Sequence, residues 1–86
     1  MLRIRFTKHA DFKIEVLKHH GFYVDHAFIE EAVIAPDKVE AGYGQRKVAQ
    51  KAYDEAHVLR VVYEEKGSEI LVVTVYPGRR SRYEKN

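Results

Sequence analysis

Leu2, Ile4 and Phe6 alternate with Arg3 and Arg5, the period of a half-buried strand, and the pattern predicts a first strand over residues 2–6. Thr7 follows as a helix cap. The helix it opens is expected over residues 8–20, with Gly21 as its left-handed stop and His19 and His20 in the last turn, where positive charge suits the macrodipole. Ala10, Ile14 and Leu17 form one apolar stripe and Phe12 and Val16 a second. His9, Lys13 and His20 fall between the two, which aims His9 at protein and away from bulk water. A second helix is expected over residues 26–34, capped by Asp25, stapled by Val24 and Ile29, and ended by Pro36. Phe28, Ile29, Ala32 and Val33 give it an apolar face, Glu30 and Glu31 a polar one, so the two helices should pack as a short hairpin.

From Asp37 onward the period changes to that of strands, expected over 39–43, 46–53, 58–64 and 70–76, with turns at GYG (42–44), DEA (54–56) and KGS (66–68). Short connections in series imply an antiparallel meander. Helices gathered early and strands late place the chain in the α+β class. The expected architecture is two-layered, an N-terminal strand and helical hairpin packed on an antiparallel β-sheet, in one domain over residues 1–86.

In VLRVVYE and EILVVTVY both strand faces are apolar. Leu59, Val61 and Tyr63 oppose Val58 and Val62, and Leu71, Val73 and Val75 oppose Ile70, Val72 and Thr74. Two helices cover one face only, which leaves the other for the chain's own tail, a second copy or a partner. Arg60 interrupts this apolar strand, where a charge is costly unless paired or functional. A glycine bulge at KGS would set Arg60 beside Val72, and an even loop over 54–57 would set Lys51 across from it. Two such cations would want an anion between them.

Composition narrows the class. With 45% hydrophobic and 33% charged residues, the 86-residue chain is expected to be globular, soluble and free of membrane association. MLRIRFTKHA lacks the layout of a secretory signal, and the absence of cysteine excludes disulfides and fits a cytoplasmic location. The formal charge of +2 says little by itself, but its distribution is uneven. Acid collects at Glu30, Glu31, Asp37 and Glu40, while base collects at Arg3, Arg5 and Lys8 and again at Arg79, Arg80, Arg82 and Lys85.

LRVVYEE, a turn, ILVVTVY and then PGRR with a tyrosine beyond it resemble the C-terminal half of the RelE/ParE toxin superfamily. FTKHA, HHGF, APDKVE and VVTVYPGRRSRY together resemble a small family of uncharacterised prokaryotic domains related to it and to other metal-independent RNase toxins. The resemblance implies a RelE-like fold. It aligns Arg60 with the arginine of a Y-R-V-x-Y strand, although Leu59 replaces the aromatic residue, and Arg80 with the arginine of a G-K-R turn. Tyr83 stands for the catalytic tyrosine, which in RelE-type nucleases lies further on, in a C-terminal helix. Lys47 and Lys51 loosely match a basic pair, and His9 matches a histidine of the uncharacterised family.

The resemblance implies RNA binding and endonucleolytic cleavage by attack of a 2′-hydroxyl on the adjacent phosphate, with no metal or organic cofactor. His9, Arg60, Arg80 and Tyr83 are the catalytic candidates, and Lys47, Lys51, Arg79 and Arg82 the substrate-binding ones. Arginine suits the clamp because its planar fork grips two phosphate oxygens, and histidine suits proton transfer. A cognate antitoxin, or self-association, would cover the free sheet face. The alternative is a binding module that keeps the basic edge without turnover. A ParE-like action on a topoisomerase is a third reading. Each residue also has a structural role open to it: Arg60 as the partner of Glu64 or a helix carboxylate, His9 as a helix-start histidine, the terminal arginines as a solvated tail blunting an edge strand. The remaining histidines, His19, His20, His26 and His57, lack the spacing of a metal site.

Overall fold

The computed structural model describes residues 3–84; Leu2 of the expected first strand and Lys85 of the basic cluster lie outside them. Strand β1 (Arg3–Phe6) leads into helices α1 (Lys8–His19) and α2 (His26–Ile34). Four strands follow, β2 (Lys38–Ala41), β3 (Lys47–Ala52), β4 (His57–Lys66) and β5 (Glu69–Arg79), and a helical turn α3 (Arg80–Tyr83). The five strands form one sheet in the order β1-β5-β4-β3-β2. β2 to β5 are the antiparallel meander, and β1 joins β5 in parallel, as a strand separated from its neighbour by intervening helices must be free to do.

Both helix starts follow the sequence. The Thr7 side chain accepts the Ala10 amide at 3.0 Å, and Asp25 accepts the Phe28 amide at 2.8 Å. The Thr7 hydroxyl also donates to the Val73 carbonyl at 2.9 Å, while the Thr7 amide donates to Val72 O at 3.0 Å, so one residue caps α1 and ties it to β5. Val73 is free to accept because the ladder slips there: Tyr63 pairs with Val72 but Val62 with Thr74. The bulge reverses the expected alternation of β5. Ile70, Val72 and Val75 all join Ala10, Ile14, Leu17, Ile29, Ala32, Leu59, Val61 and Tyr63 in the core beneath the helices.

α1 presents one buried stripe, Ala10, Ile14 and Leu17, and Phe12 is 63% exposed. The second stripe is only partly covered, since Val16 is half-buried, and the start of the sector between the two opens to water. His9 is exposed there, contrary to the expectation that it faces protein.

β5 runs three residues beyond its expected end, through Pro77 and Gly78 to Arg79. β1 pairs only as far as Val72, so Pro77 falls where β5 has become an edge, the place where a sheet tolerates a residue without an N–H.

Candidate nucleic-acid interface

Arg60 lies on the face opposite the helices, because it alternates with Leu59 and Val61 of the core. Its sheet neighbours are Gln50 on β3 and Tyr76 on β5. Arg60 is 7% exposed, and all three nitrogens of its guanidinium are engaged. Nη2 donates to Glu40 Oε1 at 2.8 Å, Nη1 to Gln50 Oε1, and Nε to the Tyr76 hydroxyl at 3.0 Å. Hydrogen bonding and charge from Arg60 hold the Glu40 carboxyl below its ordinary range. For Arg60 itself, burial works against the cation, and the Tyr76 and Glu40 hydrogen bonds outweigh it, leaving its pKa raised.

The C-terminal segment turns back over this group. The Tyr83 ring centre lies 4.2 Å from the guanidinium carbon, and Lys38 Nζ donates to Tyr83 O at 2.6 Å. Gly78 makes room for the ring: a Cβ there would overlap Tyr83 Cδ2 at 2.6 Å. Part of the sheet face left free by the helices is thus covered by the chain's own tail. Glu64, the sequence candidate for pairing with Arg60, instead meets Arg46 at 3.0 Å and Lys66 at 3.7 Å. It lies four positions along β4 from Arg60, about 13 Å, beyond an easy reach.

A second, open site lies where the turn between β3 and β4 meets the end of β5. Glu55, Ala56, His57, Arg79, Arg80 and Ser81 line a cleft of about 440 Å³. Asp54 builds the turn: its Oδ1 accepts the amides of Ala56 at 2.9 Å and His57 at 2.7 Å. The same oxygen lies 3.0 Å from His57 Nδ1. Desolvation pushes the Asp54 carboxyl up, but these hydrogen bonds and the imidazole together hold it below its ordinary range. The ring of Phe22 meets His57 edge-on, with centroids 4.9 Å apart. Arg79 is the cross-strand partner of His57, so the two side chains project from the same face of the sheet. The Arg80 amide continues the pairing to Ala56 O at 2.9 Å, and its side chain reaches Glu84 at 2.6 Å and Asp54 O at 3.2 Å. The Glu84 carboxylate raises the pKa of Arg80 further.

The sequence candidates therefore divide. Arg60 and Tyr83 come together on the open face. Arg79 and Arg80 come together in the cleft, with Arg82 on α3, its guanidinium carbon 5.7 Å from the Tyr83 ring centre. Arg79 and Arg82 have no carboxylate partner among the described residues. The expected Lys51–Arg60 pairing does not form. β3 and β4 pair through Ala52↔Val58, with an odd five residues between, so Gln50 meets Arg60 and Lys51 meets Leu59. Lys51 consequently lies on the helix face, where Nζ donates to Ala35 O at 3.2 Å. Lys47 begins β3 at the far end from the cleft and pairs with Glu65, whose hydrogen bond and charge raise its pKa. His9 belongs to α1, in the layer across the sheet from Arg60.

This fold is similar to that in the solution structure of the conserved hypothetical protein HP0894 from Helicobacter pylori. The chains are 17% identical with a TM-score of 0.56, over 94% of this chain and 97% of that one. At such identity the likeness establishes a shared two-layer α+β fold and nothing about activity. No protein-family model matches the chain. No curated protein matches it in sequence. No helix among the described residues is long and apolar enough to cross a membrane.

Sequence reasoning passed over Glu40, which neutralises Arg60, and the Asp54–His57 pair. The second had a signal. An aspartate at the start of a turn accepts amides two and three residues on, and DEAH puts a histidine at the third. The neighbourhood of His57 and Arg79 could not be counted out from the KGS turn without knowing of the bulge at Val73.

Proposed function

We propose that the protein binds single-stranded RNA along the end of its sheet, where the 54–57 turn meets Arg79–Tyr83. Arg79 and Arg82 contact phosphates, and Arg80, tied to Asp54 and Glu84, borders the cleft. The observation that carries this reading is Arg79: a cation with no ion-pair partner among the described residues, in a cleft shared with Arg80 and His57. A surface arginine free of carboxylates keeps its fork for an incoming anion. The resemblance of LRVVYEE and VYPGRRSRY to RelE-type toxins supports RNA as that anion. Arg60 is not a substrate contact in this reading, because it is buried and Glu40, Gln50 and Tyr76 engage all three of its nitrogens.

Fluorescence anisotropy with a labelled single-stranded RNA of mixed sequence tests it. The chain binds with an affinity that falls as salt rises. The double variant Arg79→Ala, Arg82→Ala binds more weakly, and its log–log salt slope is shallower by about 0.7 for each arginine removed. An unchanged affinity and slope in the double variant would sink the reading.

A further inference from the structure

The turn at 54–57 needs only one thing from Asp54, an oxygen for the amides of Ala56 and His57, and it has that at 2.9 and 2.7 Å. The contact to the His57 ring is additional. A carboxylate facing Nδ1 at 3.0 Å selects the tautomer with the proton on Nδ1, which leaves Nε2 as the basic nitrogen. Phe22 packs edge-on against the same ring and restrains its rotation. The side chain is one-third exposed, open enough to meet a ligand and held enough to be aimed. Beside it on the sheet stands Arg79, and Arg80 closes the cleft. An oriented imidazole next to a guanidinium with no carboxylate partner among the described residues is what transfer at a phosphodiester requires: one group to move a proton, another to hold the charge that builds on phosphorus.

We infer that His57, oriented by Asp54 and flanked by Arg79, is the proton-transfer residue of an RNA-cleaving site in this cleft, an inference that rests on the RNA-binding reading above. His57 Nε2 takes the proton of a 2′-hydroxyl as O2′ forms its bond to phosphorus. Arg79 holds the non-bridging oxygens, and the bond from phosphorus to O5′ breaks. The imidazolium then gives the same proton to O5′. The products are a 2′,3′-cyclic phosphate and a 5′-hydroxyl end, and no water or redox partner is consumed. Asp54 is a positioning residue in this scheme, and His9, near the start of α1 and away from the Phe22 end that meets His57, has no part in it.

The test follows labelled single-stranded RNA through binding and cleavage in EDTA, with mass spectrometry of the product ends. His57→Ala slows cleavage about 100-fold or more while RNA affinity holds, and added imidazole restores part of the rate. The acid limb of the wild-type pH–rate profile disappears from the residual activity. Asp54→Asn keeps an oxygen for the turn, so it folds, yet it slows cleavage on the order of tenfold. His9→Ala cleaves as wild type does. Undiminished cleavage by His57→Ala, or 5′-phosphate products, overturns the inference. Binding by the wild-type chain with no cleavage overturns the role of His57 and leaves the RNA-binding reading standing, whereas absence of binding removes both.

Discussion

Arg60 and Arg79 are two arginines on neighbouring strands of one sheet, and their surroundings are opposite. Arg60 is buried, and each of its nitrogens is held by one of Glu40, Gln50 and Tyr76 beneath the ring of Tyr83. Arg79 is exposed at the edge of a cleft with a histidine across from it and no carboxylate partner among the described residues. A charge in the middle of an apolar strand is conspicuous in a sequence because burying it is expensive, and that same expense obliges the fold to surround it with partners. The arginine that stands out is the one least free to bind anything else. Arg79 attracted less notice as one of several basic residues after the last strand, yet it keeps its donors.

The largest effect expected from this contrast is on stability. Arg60→Met strands the buried Gln50 oxygen and the Tyr76 hydroxyl and removes the partner of Glu40. Urea unfolding should register a loss of about 3 kcal/mol. Arg60→Lys restores less than half of it, since an ammonium cannot match a planar fork with three acceptors around it. A stability within about 0.5 kcal/mol of wild type for Arg60→Met would erase the distinction between the two arginines.

Gly78→Ala sharpens the contrast at the next level. The backbone of Gly78 does not take a positive φ, so alanine is permitted there, and the conflict is with the Tyr83 ring alone. Displacing that ring should cost about 1–2 kcal/mol and expose Arg60. Tyr83→Ala should cost a similar amount, and the two changes together should cost little more than either, because both remove one contact. Additive losses would mean that Gly78 matters for some reason other than seating Tyr83.

Much of the frame was legible because it depends on short-range chemistry. Thr7 and Asp25 cap the helices that the sequence assigns to them, Gly21 takes the positive φ of a helix stop, and the strands fall within a few residues of their expected limits. Register was not legible, because it accumulates over turns whose length must be known to the residue. One residue more between β3 and β4 set Gln50 in place of Lys51 opposite Arg60; the turn that pairs Lys66 with Glu69, with one extra residue at Val73, set Arg60 against Tyr76 instead of the expected Val72, and Arg79 against His57. The residues of the candidate site were all visible, but their company was decided by those two counts. His9 faces water instead of protein for a different reason: the periodicity of α1 shows two apolar stripes, and the buried residues of the helix belong to one.

The smallest expected effect concerns pH and tests the Glu40–Arg60 pair. In the folded chain Glu40 is held below its ordinary carboxylate range, first by its hydrogen bond to Arg60. A group depressed on folding contributes its stability above the unfolded pKa and loses it as pH falls through the folded value. The window therefore lies on the acid side of about 4.3, and nothing is expected from Glu40 at neutral pH. The Glu40 side chain is 45% exposed, so water screens the pair and the contribution is no more than about 1 kcal/mol. Unfolding midpoints in urea taken down through this range should fall less steeply for Glu40→Gln than for wild type. In Arg60→Met the same Glu40→Gln change should leave the slope where it was, since the carboxylate has no guanidinium to lose. If the slope changes as much in Arg60→Met as in wild type, the acid sensitivity belongs to other carboxylates and Arg60 is held by Gln50, Tyr76 and Tyr83 without it.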